Sequence, residues 1–175
     1  MLREIYEQPA ALAATIDRYM DGEGFSTASS GPILEWLKRV QTKLLIAASG
    51  SSRHAGLFAE LMVEDLSGIA VDVEYASEYC YRSEKAMTNA AVMVVSQSGE
   101  TVDTLVALRK ANLGGHETLA VTNVDDSTMV REATVSFPPL AGRERAVPAT
   151  KSFTAQLLYL YLFALMGAMR WMPQS

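Results

Sequence analysis

From residue 43 onward, short and nearly continuous apolar runs alternate with stretches of helical spacing, and this alternation restricts the fold more than any other feature. The runs are Leu44–Ala48, Val71–Tyr75, Ala90–Val95, Thr118–Thr122 and Thr134–Phe137. Between them lie a helix over Arg53–Ser67 closed by Gly68, a helical turn at Ala76–Arg82 and a helix from Thr101 to about Leu113 that ends at Gly114-Gly115. A short helix, Thr128–Glu132, follows Ser127. Runs this continuous do not suit a sheet with one wet face. They predict a parallel sheet covered by helices on both sides, a three-layer αβα sandwich with five parallel strands. The 175 residues fit one domain, and 49% apolar content is enough to fill its core.

Before that pattern begins, Leu2–Met20 has helical spacing with Pro9 near its start or kinking it, and the Gly/Ser/Thr-rich stretch Asp21–Gly31 reads as a loop. Pro32 suits the first turn of a second helix through Trp36, Leu37 and Val40. The expected organisation is an N-terminal helical segment, 1–42, packed on an α/β domain at 43–175.

The last helix, Thr150 to Trp171, carries apolar side chains around nearly its whole circumference. A helix that is apolar all round must be buried on all sides. A single sheet covers only one of them, so a partner is expected there, either a second copy of the chain or a second domain.

Two hydroxyl-rich turns follow strands: Ser49-Gly50-Ser51-Ser52 and Ser96-Gln97-Ser98-Gly99-Glu100-Thr101. Both fall at the carboxyl ends of parallel strands, the edge on which such sheets bind ligands. The first N–H groups of a helix lack internal partners and sit at the positive end of its dipole, so each turn suits an anion. The competing explanation is simple N-capping. No G-x-G-x-x-G or G-x-x-x-x-G-K-[ST] pattern is present, and the cradle has hydroxyls but no lysine. A sugar phosphate fits that donor set better than a nucleotide.

The formal charge of −5 argues against a nucleic-acid partner. The most apolar run, Ala155–Met169, is shorter than the ~20 residues that span a bilayer. Cys80 is the one cysteine and His54 and His116 are the two histidines, leaving little for a disulfide or a metal site. A soluble cytoplasmic protein without metal or cofactor is expected.

The stretch Ser96-Gln97-Ser98-Gly99-Glu100-Thr101-Val102-Asp103-Thr104 resembles the SQSGETxDT motif of sugar isomerase (SIS) domains, most nearly those in the isomerase half of the glucosamine-6-phosphate synthases. Glu4–Pro9, Asp72–Glu78, Val130–Glu132 and Thr150–Thr154 agree with it in order. The resemblance implies a flavodoxin-like fold. It implies phosphate contacts at Ser52, Ser96, Gln97, Ser98 and Thr101, and sugar contacts at Ser51, Val147 and Ala149. Ala149 stands where the family has serine; Arg53 and Arg143 are further departures.

By the same resemblance the family's catalytic glutamate, histidine and lysine belong to a second domain and have no matching positions here. The chain is therefore expected to bind a fructose 6-phosphate or glucosamine 6-phosphate type of ligand as the first SIS domain of a synthase-like or deaminase-like enzyme. It is not expected to be catalytically complete alone. The alternatives are a single-domain isomerase with sites shared across a dimer, and a non-catalytic sensor. His54 and Glu78 are weak catalytic candidates: a loop histidine similar to that of SIS isomerases acting on arabinose 5-phosphate, and a carboxylate near the pocket. Dipole stabilisation at a helix start explains Glu100. Lys151 reads as loop support and His116 as a surface residue.

Overall fold

The computed structural model describes residues 1–22, 24–40, 43–83 and 88–169. The chain opens with α1 (Leu2–Tyr6), α2 (Gln8–Tyr19), the two short strands β1 (Met20–Asp21) and β2 (Gly24–Phe25), and α3 (Thr27–Arg39). Then β3 (Lys43–Ala48) leads into α4 (Gly50–Ser67), β4 (Ala70–Tyr75) into α5 (Ala76–Tyr79), and β5 (Ala90–Ser96) into α6 (Val102–Leu113). The final elements are β6 (Thr118–Thr122), α7 (Thr128–Glu132), β7 (Val135–Phe137) and α8 (Lys151–Ala168).

β3 to β7 form a five-stranded sheet in the order β4-β3-β5-β6-β7, every pair parallel. Alternate residues serve opposite faces, as the pleat requires. Leu44, Ile46 and Ala48 of β3 point into the larger core, with Met93, Val95, Leu119 and Val121 and with residues of α3, α4 and α8. Leu45 and Ala47 point the other way, with Val92, Val94 and Ala120, against Leu105, Leu108 and Ala111 of α6 and Met129 of α7. This is the three-layer sandwich, and the continuous apolar runs are explained by its two buried faces.

The N-terminal third departs from the sequence expectation. The first helical stretch divides at Glu7, which closes α1 and opens α2, with Pro9 in the first turn of α2. Residues 21–31 are not one loop: β1 and β2 pair antiparallel, and α3 already begins at Thr27. Pro32 therefore lies inside α3 rather than in its first turn, and withholds one backbone N–H from that helix. Tertiary anchoring offsets this loss. The Ser26 N–H and the Ser30 hydroxyl both donate to the Tyr19 carbonyl, at 2.9 and 3.1 Å.

α8 needs less cover from outside the chain than its sequence implies. Most of that helix is covered by the chain itself: α2, α3 and α4 pack against it, and Trp36 of α3 lies 6.2 Å from Phe163, ring centre to ring centre. Gly167 lets α4 approach closely, since a Cβ there would stand 2.9 Å from Ser67 Cβ. Tyr161 and Met169 are exposed, while Phe153, Leu157, Leu158 and Leu165 are half-buried. One sheet cannot surround such a helix, but three further helices nearly do. The expected end at Trp171 lies outside the described residues, as does the junction at 41–42.

Candidate active site

The strand order sets the position of the site. From β3 the chain crosses outward to β4, then returns past β3 to reach β5. The connections leaving β3 and β5 thus run to opposite faces, and a crevice opens between their carboxyl ends. Ala48 and Val95 are paired in register at that edge, which sets Ser49 beside Ser96. A cavity of about 360 Å³ fills the crevice, lined by Ser49–Ser52, Val95–Ser98, Thr101, Thr104, Glu144, Ala146, Val147 and Ala149.

Two helix N-termini frame this cavity. Ser49 is the N-cap residue of α4 and Thr101 that of α6, yet neither makes a side-chain capping hydrogen bond. The leading N–H groups are left without side-chain caps, so N-capping does not explain the hydroxyls. Those of the second turn shape the turn itself. Ser96 Oγ and Thr101 Oγ1 lie 2.9 Å apart, with either able to donate, and Ser96 Oγ accepts the Gly99 N–H at 3.2 Å. Ser98 Oγ accepts the Glu100 N–H at 3.2 Å.

Gly99 makes this turn possible. Its φ is +68°, and a Cβ there would stand 2.5 Å from Ser127 Cβ and 2.7 Å from Thr122 Oγ1. Close backbone approach and a left-handed conformation coincide at this one residue.

Thr104, one turn into α6, is fully buried, and its Oγ1 has no hydrogen-bond partner although the residue lines the cavity. A buried hydroxyl left unpaired costs about 1–3 kcal/mol.

The opposite wall is the segment between β7 and α8. Asn123 holds its near end, donating to the Gly142 carbonyl at 2.6 Å and accepting the Ala141 N–H at 2.9 Å. Glu4 accepts the N–H groups of Arg145 and Ala146 at 2.6 and 3.3 Å, and the Arg145 bond is the leading cause of its lowered pKa. Lys151, buried, pairs with Glu7 at 2.7 Å. Glu144 Oε1 accepts the N–H and hydroxyl of Thr150, both at 2.8 Å, and Oε2 accepts the Ser152 hydroxyl. Burial pushes the Glu144 pKa up, but these hydrogen bonds outweigh it and hold the carboxyl below its ordinary range.

All five residues expected at the phosphate and all three expected at the sugar line this one cavity. Val147 is fully exposed at its rim, while Ser52 and Ser96 are buried in its floor. His54 and Glu78 do not join them. His54 is exposed on α4, and Glu78 borders a separate depression beside β4, with Arg53 stacked over Tyr75 at 4.1 Å.

Three other expectations change. The Glu100 carboxylate accepts the Thr128 N–H at 2.6 Å, so it serves the start of α7 rather than α6. His116 is half-buried, its Nδ1 2.9 Å from the Ala90 carbonyl oxygen at the far end of the sheet. Lys151 supports the loop, but through a buried ion pair. Thr104 and Glu144 were missed. Thr104 falls inside the recognised motif, where helical spacing says nothing about an unpaired Oγ1. Glu144 lies in an aperiodic loop whose only signal is the hydroxyl pair that follows it.

Fold and site together define a class: a doubly wound α/β domain with a hydroxyl-lined crevice at its switch point. The SIS domain model matches residues 39–166, and the chain belongs to that family. The glutamine–fructose-6-phosphate aminotransferase [isomerizing] of Shewanella oneidensis is 42% identical over 170 residues, covering 95% of this chain and 28% of that protein. Its Bordetella bronchiseptica counterpart is 43% identical over 166 residues, covering 94% and 27%. The chain thus spans less than a third of the length of these relatives.

The C-terminal domain of glucosamine-fructose-6-phosphate aminotransferase from Francisella tularensis superposes with a TM-score of 0.89 at 37% identity, over 95% of this chain and 47% of that one. A protein of Escherichia coli CFT073 shares the fold, with a TM-score of 0.78 at 16% identity, over 97% of this chain and 89% of that one. Among the described residues no helix is long and apolar enough to cross a membrane.

Proposed function

We propose that the chain is a sugar-phosphate-binding domain for a ketose, aldose or amino-sugar phosphate of the fructose 6-phosphate or glucosamine 6-phosphate type. The phosphate sits between the N-termini of α4 and α6, bonded by Ser52, Ser96, Gln97, Ser98 and Thr101. The sugar lies toward Ser51, Val147 and Ala149. The observation that supports this reading is the convergence of two uncapped helix N-termini and the unpaired Thr104 hydroxyl on one cavity.

In this reading the domain is the first SIS domain of a synthase-like or deaminase-like enzyme. Residues 1–42 cover the domain from 43 onward, and a second SIS domain or a second copy completes the chemistry. Isomerisation needs one group to take a proton beside a carbonyl and another to return it. Glu144 is the one ionisable side chain among the described residues lining the cavity. The surface left for a partner on α8 is narrow, centred on Tyr161, which is 40% exposed. A reducing, cytoplasmic setting suits the lone thiol of Cys80.

Calorimetric titration with fructose 6-phosphate and glucosamine 6-phosphate tests the site. Saturable binding is expected, weakened in Ser98→Ala, with no isomerisation by the chain alone. If neither ligand binds, the site assignment is wrong; steady turnover overturns the incomplete-domain reading.

A further inference from the structure

The wall of the cavity opposite the two helix N-termini has no regular structure of its own. From Pro138 to Ala149 the chain forms neither helix nor strand. Among the described residues, every hydrogen bond of its backbone runs to a side chain from another part of the chain. The Tyr19 hydroxyl donates to the Pro138 carbonyl, Asn123 holds Ala141 and Gly142, and Glu4 accepts from Arg145 and Ala146. A backbone without a ladder takes the position that such partners give it. Packing does not replace them at the far end. Val147 is fully exposed, and among the described residues neither Val147 nor Ala149 makes a hydrogen bond. The bonds of Glu144 reach Thr150 and Ser152, beyond the stretch that lines the cavity.

Glu4 is therefore the anchor next to Val147. Ala146, whose N–H it accepts at 3.3 Å, lines the cavity and directly precedes Val147. Both bonds end on the same oxygen, Oε1, with the Arg145 N–H at 2.6 Å. Glu4 itself is buried, and the helices that carry it grip the segment near both of its ends. Ala11 of α2 packs with Ala141 and Ala155. Glu7, at the junction of α1 and α2, pairs with the buried Lys151 at the start of α8. The carboxylate is thus delivered to Arg145 and Ala146 from a fixed direction.

From this arrangement we propose that Glu4 is a positioning residue for the sugar: by holding the Arg145 and Ala146 N–H groups it places Val147 and Ala149 against the ligand, so that α1, outside the α/β domain, sets the sugar affinity of the cavity. The inference rests on the sugar-phosphate reading above. Glu4 touches no ligand atom and acts through the wall. The phosphate end of the cavity is independent of it, because α4 and α6 follow β3 and β5 and their N-termini are placed by the sheet. Loss of Glu4 therefore separates the two halves of the ligand: grip on the phosphate stays, and grip on the sugar weakens.

The test titrates fructose 6-phosphate, glucosamine 6-phosphate and inorganic phosphate against the wild-type chain, Glu4→Ala and Glu4→Gln. The readout is the ratio of sugar-phosphate to inorganic-phosphate affinity, which a general change of charge or stability leaves unaltered. In Glu4→Ala the ratio should fall about fivefold, the value of one hydrogen bond to the sugar, with inorganic phosphate bound as in the wild type. Glu4→Gln should recover most of the ratio, because its amide oxygen can still accept both N–H groups. An unchanged ratio in Glu4→Ala overturns the proposal. So does an equal loss for every ligand, since Glu4 then acts on the domain as a whole, and so does a Glu4→Gln ratio as low as that of Glu4→Ala. If the wild type binds neither sugar phosphate, the sugar-phosphate reading itself fails, an outcome that needs no variant and is distinct from the others.

Discussion

Gly99→Ala puts the geometry of the second turn to its most direct test. Two costs arise from one methyl group. At φ +68° an L side chain is in the left-handed region, which costs about 1–2 kcal/mol for a residue with a Cβ. The added Cβ would also crowd Ser127 Oγ and lie 2.5 Å from Ser127 Cβ and 2.7 Å from Thr122 Oγ1. None of these neighbours is the free end of a long side chain. Ser127 starts α7 and is 2% exposed, and Thr122 ends β6 and is fully buried. Overpacking of this kind costs about 1–3 kcal/mol, so the total is about 2–5 kcal/mol. For a chain of this size that lowers the melting temperature by roughly 4–20 °C.

The turn can escape the clash only by moving. Movement breaks the Gly99 N–H bond to Ser96 Oγ and the Met129 N–H bond to the Gly99 carbonyl, so phosphate binding should fall together with stability. A second substitution separates the two costs. Ser127→Gly removes both serine contacts and sacrifices no side-chain hydrogen bond, since Ser127 Oγ makes none. The double variant should therefore recover the steric part and retain the backbone part, a coupling that a thermal and urea unfolding cycle measures directly. Gly99→Ala melting at the wild-type temperature with ligand affinity intact would refute this account of the turn.

Two further predictions follow from groups in the same cavity. Thr104→Val replaces an unpaired buried hydroxyl with a methyl of similar shape, so the ligand-free domain should hold or gain stability while sugar-phosphate affinity drops about fivefold, the value of one neutral hydrogen bond; titration and thermal unfolding check this, and unchanged affinity removes Thr104 from the site. Glu144 has a folded pKa below its ordinary 4.5, so its contribution is present above that value and is lost as pH falls through the folded pKa. The melting-temperature gap between wild type and Glu144→Gln should accordingly be widest near neutrality and close in acid, whereas a gap independent of pH would mean that the charge is not what stabilises the loop.

The five strands of the main sheet were legible because two buried faces demand unbroken apolar runs, and nothing else in the chain imitates Ala90–Val95 or Leu44–Ala48. The short strands β1 and β2 had no such signal. Two residues each carry no periodicity, and Met20 pairs with Phe25 and Asp21 with Gly24 without any apolar run to announce it. The start of α3 was hidden for a related reason. Thr, Ser and Gly are weak helix formers, and the contacts that make Thr27–Gly31 helical come from Tyr19, in another element. The cover on α8 shows the limit of amphipathicity arguments. The apolar circumference called for burial on every side; Trp36 and Leu37 of the same chain supply part of that cover, while Tyr161 and Met169 stay exposed.

The site was legible in its hydroxyls and not in its costs, and the costs are the stronger evidence for a ligand. Unpaired buried polar atoms occur elsewhere in this molecule, at Trp36 Nε1 and Tyr79 Oη, so Thr104 alone would decide little. Around the cavity, however, several departures from local stability coincide. Two helix starts lack side-chain caps although serine and threonine stand at the N-cap positions. Gly99 occupies a conformation that few other residues accept. Each departure taken singly lowers the stability of the empty domain. An anion between α4 and α6 would satisfy the leading N–H groups and the Thr104 hydroxyl together. One anionic ligand therefore accounts for all of these departures, whereas a purely structural explanation needs a separate reason for each.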